Sequence, residues 1–325
     1  MINQFLEMLN KAKNIAIITH INPDGDAFGS ALMMHEFLSI NFPNINKSIF
    51  AEHTHISDEF KLMLEDIKLN ENLYEYDTVI TVDCGDTNRF EMFMDIFNSA
   101  KQTISIDHHK DNSYFAQLNI VNVISSNCEN LYNIFKQMGF KIKKRLCGYC
   151  YAGMITDTLA FSVKTITPNT YKVLEEIMEM GVDCYRIRNL FFNGFGKEKY
   201  KIIAKTMEKA EFYLNDKVVI VYLDENDFAQ CGLDINNTEG IVNQAFSLKT
   251  ALACFLVSPR KEKLHISMRS KPGIDVSVIA NKLGGGGHVC AAAGDSEKGI
   301  DEIKKFIITE IEPQIISFKE IPFKF

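Results

Sequence analysis

The chain has no run of 18 apolar residues, and no basic segment followed by an apolar one opens it. The first absence argues against a membrane-spanning helix and the second against a secretory signal, so we expect a cytoplasmic protein without a membrane partner. Positive charge is also scarce, since 35 lysines and arginines stand against 42 aspartates and glutamates. The net charge of −7 argues against sequence-independent binding of long nucleic acid, but it allows a small phosphate-bearing ligand held by a few cations.

Cysteine pairs of the kind that hold structural zinc are missing as well. Among the eight cysteines, Cys147 and Cys150 have the C-x-x-C spacing, and no second pair exists to complete a zinc site. We interpret these two as reduced, buried thiols on a helix. The sequence also contains no internal repeat and no low-complexity segment.

Length and patterning predict two domains of the α/β class. With 325 residues, of which 46% are hydrophobic and 24% charged, the chain is long enough to bury two cores. Short β-rich runs alternate with helical ones up to about residue 190, which is typical of a mostly parallel sheet flanked by helices. We place this first domain at residues 1–190, a helical linker at 191–213 and a smaller α/β domain at 214–325.

Hydrophobic periodicity predicts the individual elements. In the first domain the predicted strands are 15–19, 48–51, 78–82, 103–106 and 119–123, and the predicted helices are 27–40, 58–64, 89–97, 128–138, 145–158 and 169–180. A charged stretch with helical spacing, 196–211, connects the domains. In the second domain we predict strands at 218–223, 251–257 and 264–269, helices at 238–247, 276–282 and 300–308, and no assignable pattern in the tail, 310–325.

Polar side chains are concentrated just after the first predicted strand. His20 closes that strand, Asp24 lies four residues on and Asp26 opens the next helix, with Pro23 and Gly25 shaping a tight turn between them. In open α/β sheets, ligands bind in the crevice beyond the carboxyl ends of the strands. Taken alone, the segment leaves a bland alternative open, in which Asp26 only caps the helix and His20 is an ordinary core histidine.

A calcium loop is a further interpretation of the same segment. Asn22, Asp24 and Asp26 alternate as the first ligands of such a loop do. Its sixth position, however, is Ala27 instead of glycine, and its twelfth is Met33 instead of glutamate. The spacing therefore excludes an ordinary calcium loop.

Three further groups of acids or histidines strengthen the case for a site. Asp83 ends a strand of the buried type, and another such strand runs into Asp107, His108 and His109. Asp157 lies within a largely apolar helical stretch. Because a buried carboxylate without a partner is costly, four such groups together predict a shared metal site rather than four separate caps or turns.

These motifs resemble the DHH phosphoesterase superfamily. The resemblance rests on H-x-N-P-D-G-D-A-x-G-S, a lone strand-end aspartate, D-H-H and G-x-x-x-D-T in the first half of the chain. Later, the run Gly284, Gly285, Gly286, Gly287 and His288 resembles the second domain of its subfamily of nanoRNases, pAp phosphatases and RecJ-like nucleases. Order and spacing agree from about residue 14 to residue 294.

The resemblance implies a centre with two divalent metal ions, usually Mn²⁺. By position, one ion would be held by His20, Asp24 and Asp83, and the second by Asp26, Asp83, His108 and Asp157. Carboxylate and imidazole ligands suit Mn²⁺, whereas a thiolate-rich set would have indicated zinc. Two such ions, about 3.5–4 Å apart, can activate a water and stabilise the attacking and leaving oxygens of phosphoryl transfer.

The residues around this implied centre receive roles by the same resemblance. Asp83 and His108 belong to the catalytic centre, and His109 is interpreted as a ligand of the substrate phosphate. Asp107 would orient His108 or His109 from behind, and the sequence does not decide between them. Arg89 is either a substrate contact or a surface arginine. Cys84 is not a ligand position in the family, and we interpret it as packing.

The second domain would hold the substrate. Four consecutive glycines let backbone N–H groups approach a phosphate closely, and His288 adds a donor. The run is not a nucleotide-triphosphate loop, because no Gly-Lys-Ser/Thr closes it. Arg269, at the end of a predicted strand, is the expected contact to a phosphate or base. Lys271 is a weaker candidate, with an exposed strand face as the alternative.

On this resemblance we expect a hydrolase that is both an oligoribonuclease and a phosphatase of 3′-phosphoadenosine 5′-phosphate (pAp). It would cut short RNA oligonucleotides or dinucleotides to mononucleotides and convert pAp to AMP. We expect the second domain to hold one end of the substrate while the metal centre cuts the adjacent phosphate. The alternatives are a RecJ-like single-strand exonuclease, a pyrophosphatase of the same superfamily and a nucleotide sensor without catalysis. Homodimers are common among relatives, and a homodimer stays open for this chain.

Overall fold

The structure, a computed structural model, describes residues 1–51, 58–64, 67–193, 196–235 and 240–319. Contacts divide the chain into two compact units, Met1–Gly194 and Phe195–Phe325. Each unit has its own sheet, and the predicted α/β class, with a parallel sheet flanked by helices in the first half, is confirmed. The predicted limits at 190 and 213, with a separate linker between them, stay a prediction. Within the described ranges, no helix has the length and apolar character needed to cross a membrane.

The first unit is built on a five-stranded sheet in which all neighbours are parallel. Its strands are β1 Asn14–Ile18, β2 Asn46–Phe50, β3 Thr78–Val82, β4 Gln102–Asp107 and β5 Leu118–Val121. The spatial order is β2-β1-β3-β4-β5, so the chain moves outward from β1 to one edge at β2 and then crosses back to build the sheet from β3 toward the other edge. The order of the strands therefore switches between β1 and β3, although the two strands are parallel. In sheets of this order, the crevice beyond the carboxyl ends of those two strands is the usual place for a ligand.

Both faces of this sheet are covered. Along β1, Ile15 and Ile17 face the larger core of the unit. Ala16 and Ile18 face a smaller core with Phe90 of a 3₁₀ segment, Thr87–Phe93. The helices are α1 Ile2–Lys11, α2 Gly25–Asn41, α3 Asp58–Leu64, α4 Met94–Ser99, α5 Asn127–Gln137, α6 Lys144–Asp157, α7 Pro168–Glu179 and α8 Cys184–Phe192. The apolar composition of the strands follows from this double cover.

Helices α2 and α6 pack against each other at unusually close range. A Cβ on Gly25 would lie 2.1 Å from Thr156 Oγ1, and one on Gly153 would lie 2.2 Å from Cys128 Sγ and 3.0 Å from Asp26 Oδ1. Only glycine fits at such distances, because real Cβ atoms essentially never come closer than about 3 Å to another heavy atom. The close packing places the start of α2 beside the end of α6.

The second unit carries a six-stranded sheet in the order β10-β11-β9-β8-β7-β6, with one parallel pair, β7 and β8. Its strands are β6 Ala210–Tyr213, β7 Val218–Tyr222, β8 Ala253–Arg260, β9 Lys263–Ser270, β10 Gly286–His288 and β11 Ala291–Ser296. Its helices are α9 Lys197–Glu208, α10 Glu225–Cys231, α11 Ile241–Ala245, α12 Ser277–Lys282 and α13 Ile300–Ser317. Two separate apolar clusters pack on this sheet, one with α12 and α13 and the other with α9, α10 and α11.

Several predicted elements are wrong in type or extent. The helix predicted at 89–97 is the 3₁₀ segment followed by α4, because Phe90 leaves helical geometry at φ −138°. The helix predicted at 196–211 ends at Glu208, since the chain from Ala210 pairs with β7. The predicted end of the last helix at 308 is also wrong. Helix α13 runs on to Ser317 through Pro313, held by Ile303, Ile307, Ile311 and Ile315 on its buried side.

Other elements have no counterpart in the prediction. Helices α1, α8 and α10 and strand β11 were not predicted. Part of the glycine run is a strand, β10, rather than a loop. Of the helix predicted at 238–247, residues 238 and 239 lie outside the described residues, and α11 covers Ile241–Ala245.

Candidate active site

The predicted metal-site side chains of the first unit meet at the carboxyl edge of its sheet. His20 follows β1, Asp83 follows β3, and His108 follows β4. Asp26 lies in the first turn of α2, and Asp157 is the last residue of α6. The reversal of strand order and the close packing of α2 on α6 therefore bring four separate segments of the chain to one place.

His108 lies in the middle of this group. Its Nε2 is 3.3 Å from Asp83 Oδ1, 3.7 Å from Asp26 Oδ2 and 3.8 Å from Asp157 Oδ2. On the other side of Asp83, His20 Nε2 lies 3.9 Å from Asp83 Oδ2 and 3.9 Å from Asp24 Oδ1. Asp83 thus faces both histidines, one with each oxygen.

Ligand atoms close enough to share an ion form three overlapping sets in the part of the chain that the structure describes. They are His20, Asp24 and Asp83; Asp26, His108 and Asp157; and Asp83, His108 and His109. The first set matches the first predicted ligand set. The second set consists of three of the four residues of the second predicted set. The fourth, Asp83, lies 3.3 Å from His108.

The two inner histidines are oriented from behind by backbone carbonyls. His20 Nδ1 lies 2.9 Å from the Ile21 carbonyl, and His108 Nδ1 lies 3.1 Å from the Ile124 carbonyl. Because a carbonyl only accepts, each Nδ1 must carry its proton and donate it. In the neutral tautomer that binds metals, the lone pair lies on Nε2, the atom that faces the carboxylates here.

Asp26 is held rigidly at the start of helix α5. Its Oδ2 accepts from the Asn127 backbone N–H at 2.5 Å, and its Oδ1 accepts from the Cys128 N–H at 2.9 Å. Asp24 in turn caps α2 by accepting from the backbone N–H groups of Asp26 and Ala27. Helix N-termini favour negative charge, so the backbone fixes both carboxylates in place before any ligand binds.

Asp83 is unusual in its backbone and in its side chain. Its φ is +58°, in the left-handed region that residues other than glycine enter rarely, Asn and Asp most readily. It is only 2% exposed, and its Oδ1 has no hydrogen bond within the described parts of the chain. A buried carboxylate oxygen without a donor, facing histidine nitrogens, is suited to bind a cation.

The electrostatics of the group are also suited to a bound cation. Burial, reinforced by the carboxylate of Asp83, raises the pKa of Asp26 to about 7. Burial and Asp26 raise the pKa of Asp157 well above its usual range. Burial alone would raise the pKa of Asp83, but His108, His109 and His20 together lower it. Without a bound cation the site must keep protons on some of its carboxylates, and a divalent ion would take their place.

His109 differs from its neighbour His108 in its partner. Its Nδ1 lies 2.7 Å from Asp107 Oδ1, whereas His108 Nδ1 faces a backbone carbonyl. The sequence did not decide whether Asp107 orients His108 or His109. In the structure its carboxylate contacts His109. The His109 side chain is 25% exposed, compared with 6% for His108.

Arg89 lies in the 3₁₀ segment with an exposed side chain. Its carbonyl accepts from the Ile21 backbone N–H at 2.5 Å, so its backbone is tied to the loop that follows His20. This contact involves the backbone alone, and a substrate contact by the Arg89 guanidinium stays a prediction.

In the second unit the glycine run forms the edge of the sheet. Gly286, Gly287 and His288 make up β10, which pairs with β11, and all three are exposed. A Cβ on Gly285 would lie 2.0 Å from the Ala293 carbonyl oxygen. Gly284 and Gly287 have positive φ. At Gly286 the nearest atom would be 3.7 Å away, so it is the one glycine of the run that neither close approach nor φ requires.

Arg269 lies on β9, two strands from this edge, and is half-buried. Its Nε donates to Asn243 Oδ1 at 2.8 Å, and a guanidinium NH₂ donates to the Met268 carbonyl. No carboxylate pairs with it among the residues whose placement is described, and burial lowers its pKa. Lys271 donates from Nζ to the Lys249 carbonyl. An uncompensated arginine of this kind is suited to an anionic ligand.

Comparison with known families accounts for both units. The profile of the DHH family, N-terminal domain, matches residues 14–181. The chain belongs to the DHH family. The profile of the DHHA1 domain matches residues 215–312, which include the glycine run and Arg269. The predicted family is thus confirmed.

One curated relative and two solved structures resemble this DHH-family chain over most of its length. The bifunctional oligoribonuclease and PAP phosphatase NrnA of Thermus thermophilus is 25% identical and covers 88% of this chain and 85% of its own. An exopolyphosphatase-related protein from Bacteroides fragilis has a TM-score of 0.88 at 24% identity, over 97% of this chain and 96% of its own. The exonuclease RecJ bound to manganese has a TM-score of 0.53 at 14% identity, over 98% of this chain and 95% of its own. Family and relatives support a DHH-family phosphoesterase, and the two structures support the fold.

Sequence reasoning missed two asparagines near the predicted residues of this DHH-family protein. Asn112 donates to Asp107 Oδ2, and Asn243 accepts from Arg269. Neither had a usable signal in the sequence, because asparagine is common in turns and at helix starts. The partner of Asn243 is 26 residues away along the chain.

Proposed function

We propose that this protein is a metal-dependent phosphoesterase that cuts short oligoribonucleotides or dinucleotides to mononucleotides and converts pAp to AMP. The observation that carries the proposal is the position of Asp83, whose two buried carboxylate oxygens face His20 and His108 in two adjoining ligand sets. The name of the Thermus thermophilus relative supports the choice of substrates.

Two divalent ions, which we propose to be Mn²⁺, would be held by two sets of residues. These are His20, Asp24 and Asp83 for one ion and Asp26, Asp83, His108 and Asp157 for the other. Bound there, such ions supply a water of lowered pKa and stabilise charge on phosphate oxygens. The donor set, oxygen and imidazole without thiolate, suits Mn²⁺ or Mg²⁺ better than zinc. The manganese in the RecJ structure with the same fold agrees with this choice.

The protein's own groups would position the reacting phosphate. Backbone N–H groups at the start of α5 keep Asp26 from turning away, and backbone carbonyls keep His20 and His108 facing inward. His109, more exposed than His108 and held at Nδ1 by Asp107, would donate from Nε2 to an oxygen of the substrate phosphate. Asp83 would face both ions.

The second unit carries its own proposed substrate-binding groups. Of the run Gly284 to His288, the N–H groups of Gly284 and Gly285 already donate to the Asn281 and Ala280 carbonyls. The phosphate donors would therefore come from the exposed edge strand, Gly286, Gly287 and His288. Arg269 would contact a phosphate or a base, and Lys271 has the same proposed role with less support. Because the chain is acidic, these local groups rather than a long basic groove would select the substrate, which favours short ligands.

The experiment is a comparison of four substrates with the same Mn²⁺-loaded protein: a ribodinucleotide, pAp, a long single-stranded oligonucleotide and inorganic pyrophosphate. We expect the dinucleotide and pAp to have the highest kcat/KM values. Faster loss of the long oligonucleotide would favour a RecJ-like exonuclease, and preference for pyrophosphate would favour a pyrophosphatase. Binding of the dinucleotide without turnover would indicate a sensor. The His108→Ala variant controls for a contaminating nuclease.

A further inference from the structure

Asn112 is a buried amide in the turn that follows His108 and His109. Only 6% of its surface is exposed. Its Nδ2 donates to Asp107 Oδ2 at 2.6 Å and to the Cys84 carbonyl at 3.2 Å, while its Oδ1 accepts from the Tyr114 backbone N–H at 2.7 Å. A primary amide supplies two donors and an acceptor on one planar group, so every polar atom of this side chain is used.

The partner of Asn112, Asp107, is fully buried and has its two oxygens divided between two residues. Oδ1 contacts His109 Nδ1 at 2.7 Å, and Oδ2 accepts from Asn112. Both contacts come from within five residues along the chain. The side chains of Asp107, His109 and Asn112 therefore form one hydrogen-bonded group around the Asp107 carboxylate. Without Asn112, Asp107 Oδ2 would lose its donor in a buried site, and the carboxylate would be free to rotate away from His109.

The same turn also fixes the loop that follows Asp83. Asn112 holds the Cys84 carbonyl, and the Ser113 backbone N–H donates to the Gly85 carbonyl at 2.8 Å. Asp83 itself has a left-handed backbone, so its orientation depends on what holds the next residues. Ser113 also holds the Gly85 carbonyl through its hydroxyl, so this loop stays tied when the Asn112 amide is removed.

We propose that Asn112 is a positioning residue for His109, acting through Asp107. It sets the imidazole so that Nε2 meets the substrate phosphate. The proposal rests on the proposed function, because it assigns His109 to that phosphate. Loss of a hydrogen-bonded partner behind a site residue typically costs about 10–100-fold in activity or metal affinity, and we expect Asn112→Ala to fall in that range for kcat/KM.

A double-mutant cycle tests the route through His109. The variants are Asn112→Ala, His109→Ala and the double variant, assayed on the dinucleotide with Mn²⁺. If Asn112 acts through His109, its replacement lowers kcat/KM about 10–100-fold in the wild-type background and by less than about twofold once His109 is gone. Equal losses in both backgrounds would overturn the proposal, as would unchanged activity of Asn112→Ala.

Asn119→Ala is the matched control. Its side chain also bonds backbone groups in the neighbouring loop, those of Ala116, and has no contact with Asp107. We expect this variant to melt at a lower temperature but to keep its kcat/KM. A loss of kcat/KM equal to that of Asn112→Ala would show that loosening the loop is sufficient, and the proposal would be wrong.

A measurement without turnover separates this proposal from the proposed function. In ¹H–¹⁵N NMR of the metal-free protein, the His109 Nδ1 proton bonded to Asp107 should give a downfield signal, assigned by its absence in His109→Ala. We expect the signal to be lost or broadened in Asn112→Ala and in the milder Asn112→Ser. A signal that is unchanged in both folded variants would overturn the positioning role, whether or not the wild type hydrolyses any substrate.

Discussion

Gly286 is the one residue of the glycine run whose role is open to a clean test. Gly285 and Gly287 are fixed by close approach to β11, and Gly284 and Gly287 by positive φ. A change at those positions would disturb the fold. At Gly286 an added side chain meets only Asn281 Oδ1 at 3.7 Å, so it projects into open space on the exposed edge.

Gly286→Val should therefore keep the fold but block the approach of a phosphate to the edge strand. We expect KM for pAp and dinucleotides to rise by roughly tenfold, the value of one charge-assisted hydrogen bond, with kcat and Mn²⁺ binding retained. Steady-state kinetics measure KM and kcat separately. Gly285→Ala is the contrast, since it should lower the melting temperature. An unchanged KM in folded Gly286→Val would remove the phosphate role of the run.

His35 is a second residue whose surroundings define a measurable property. It lies in α2, and its Nδ1 is buried without a hydrogen bond among the described residues. Burial, with Lys47 and Arg145 nearby, lowers its pKa from 6.5 to about 4. In the unfolded chain the ring takes up a proton near pH 6.5, whereas in the folded chain it stays neutral down to about pH 4.

The unfolded state therefore binds the extra proton between these two pH values, and folding becomes less favourable as pH falls through that window. We expect the free energy of unfolding of the wild type to drop by about 2–3 kcal/mol more than that of His35→Gln between pH 6.5 and pH 4. Urea unfolding of both metal-free proteins at several pH values gives the comparison. Parallel curves would show that His35 titrates normally in the fold.

At the scale of elements, the end of α6 is the most strained segment of the first unit. Leu159, Ala160 and Phe161 have φ of 48°, 55° and 66°, three consecutive left-handed residues without a glycine. Thr158 holds the turn, because its hydroxyl donates to the Met154 carbonyl and accepts from the Phe161 backbone N–H. The turn begins two residues after Asp157, so strain is stored beside a proposed ligand.

Ala160→Gly should release part of this strain. A left-handed residue other than glycine costs about 1–2 kcal/mol, while glycine adds about 0.5–1 kcal/mol of entropy cost on folding. We expect the free energy of unfolding to rise by about 0.5–1 kcal/mol, the opposite of an ordinary Ala→Gly change. Ala152→Gly, inside α6, is the control and should lower the free energy of unfolding. A loss of stability at both positions would show that the turn is not strained.

The elements that the sequence predicted well are those whose pattern and environment agree. Strand β3 is buried along all five residues, and its apolar run from Thr78 marks it plainly. Strand β6 was hidden, because the charged helical spacing of α9 continues past Glu208 and pairing with β7 decides the structure. Helix α13 passes Pro313 because an isoleucine every fourth residue buries one face. The isoleucine periodicity thus continues beyond 308, into the tail to which the prediction assigned no pattern.

At the scale of the whole molecule, some parts of the candidate site were predictable from the sequence and others were not. His20, Asp83 and His108 were predictable because acids and histidines at the ends of parallel strands must meet at one edge of the sheet. Their detailed supports were not, since Asn127 and Asn130 reach the site through the start of α5, far along the chain. Close packing at Gly153, which brings Asp157 to the others, also depends on knowing which helices are neighbours.

The central claim is that side chains from four segments of the first unit hold two metal ions around Asp83. The most direct test is a calorimetric titration of metal-free protein with Mn²⁺, alongside Asp83→Asn, which keeps a residue tolerant of the left-handed backbone. Asp86→Asn is the matched control, because its carboxylate only caps the 3₁₀ segment.

We expect two Mn²⁺ ions per chain in the wild type and in Asp86→Asn. In Asp83→Asn we expect at least one ion to be lost and phosphoesterase activity to fall by more than about 100-fold in a protein that still folds. One ion or none in the wild type, or normal metal content and turnover in Asp83→Asn, would contradict the account.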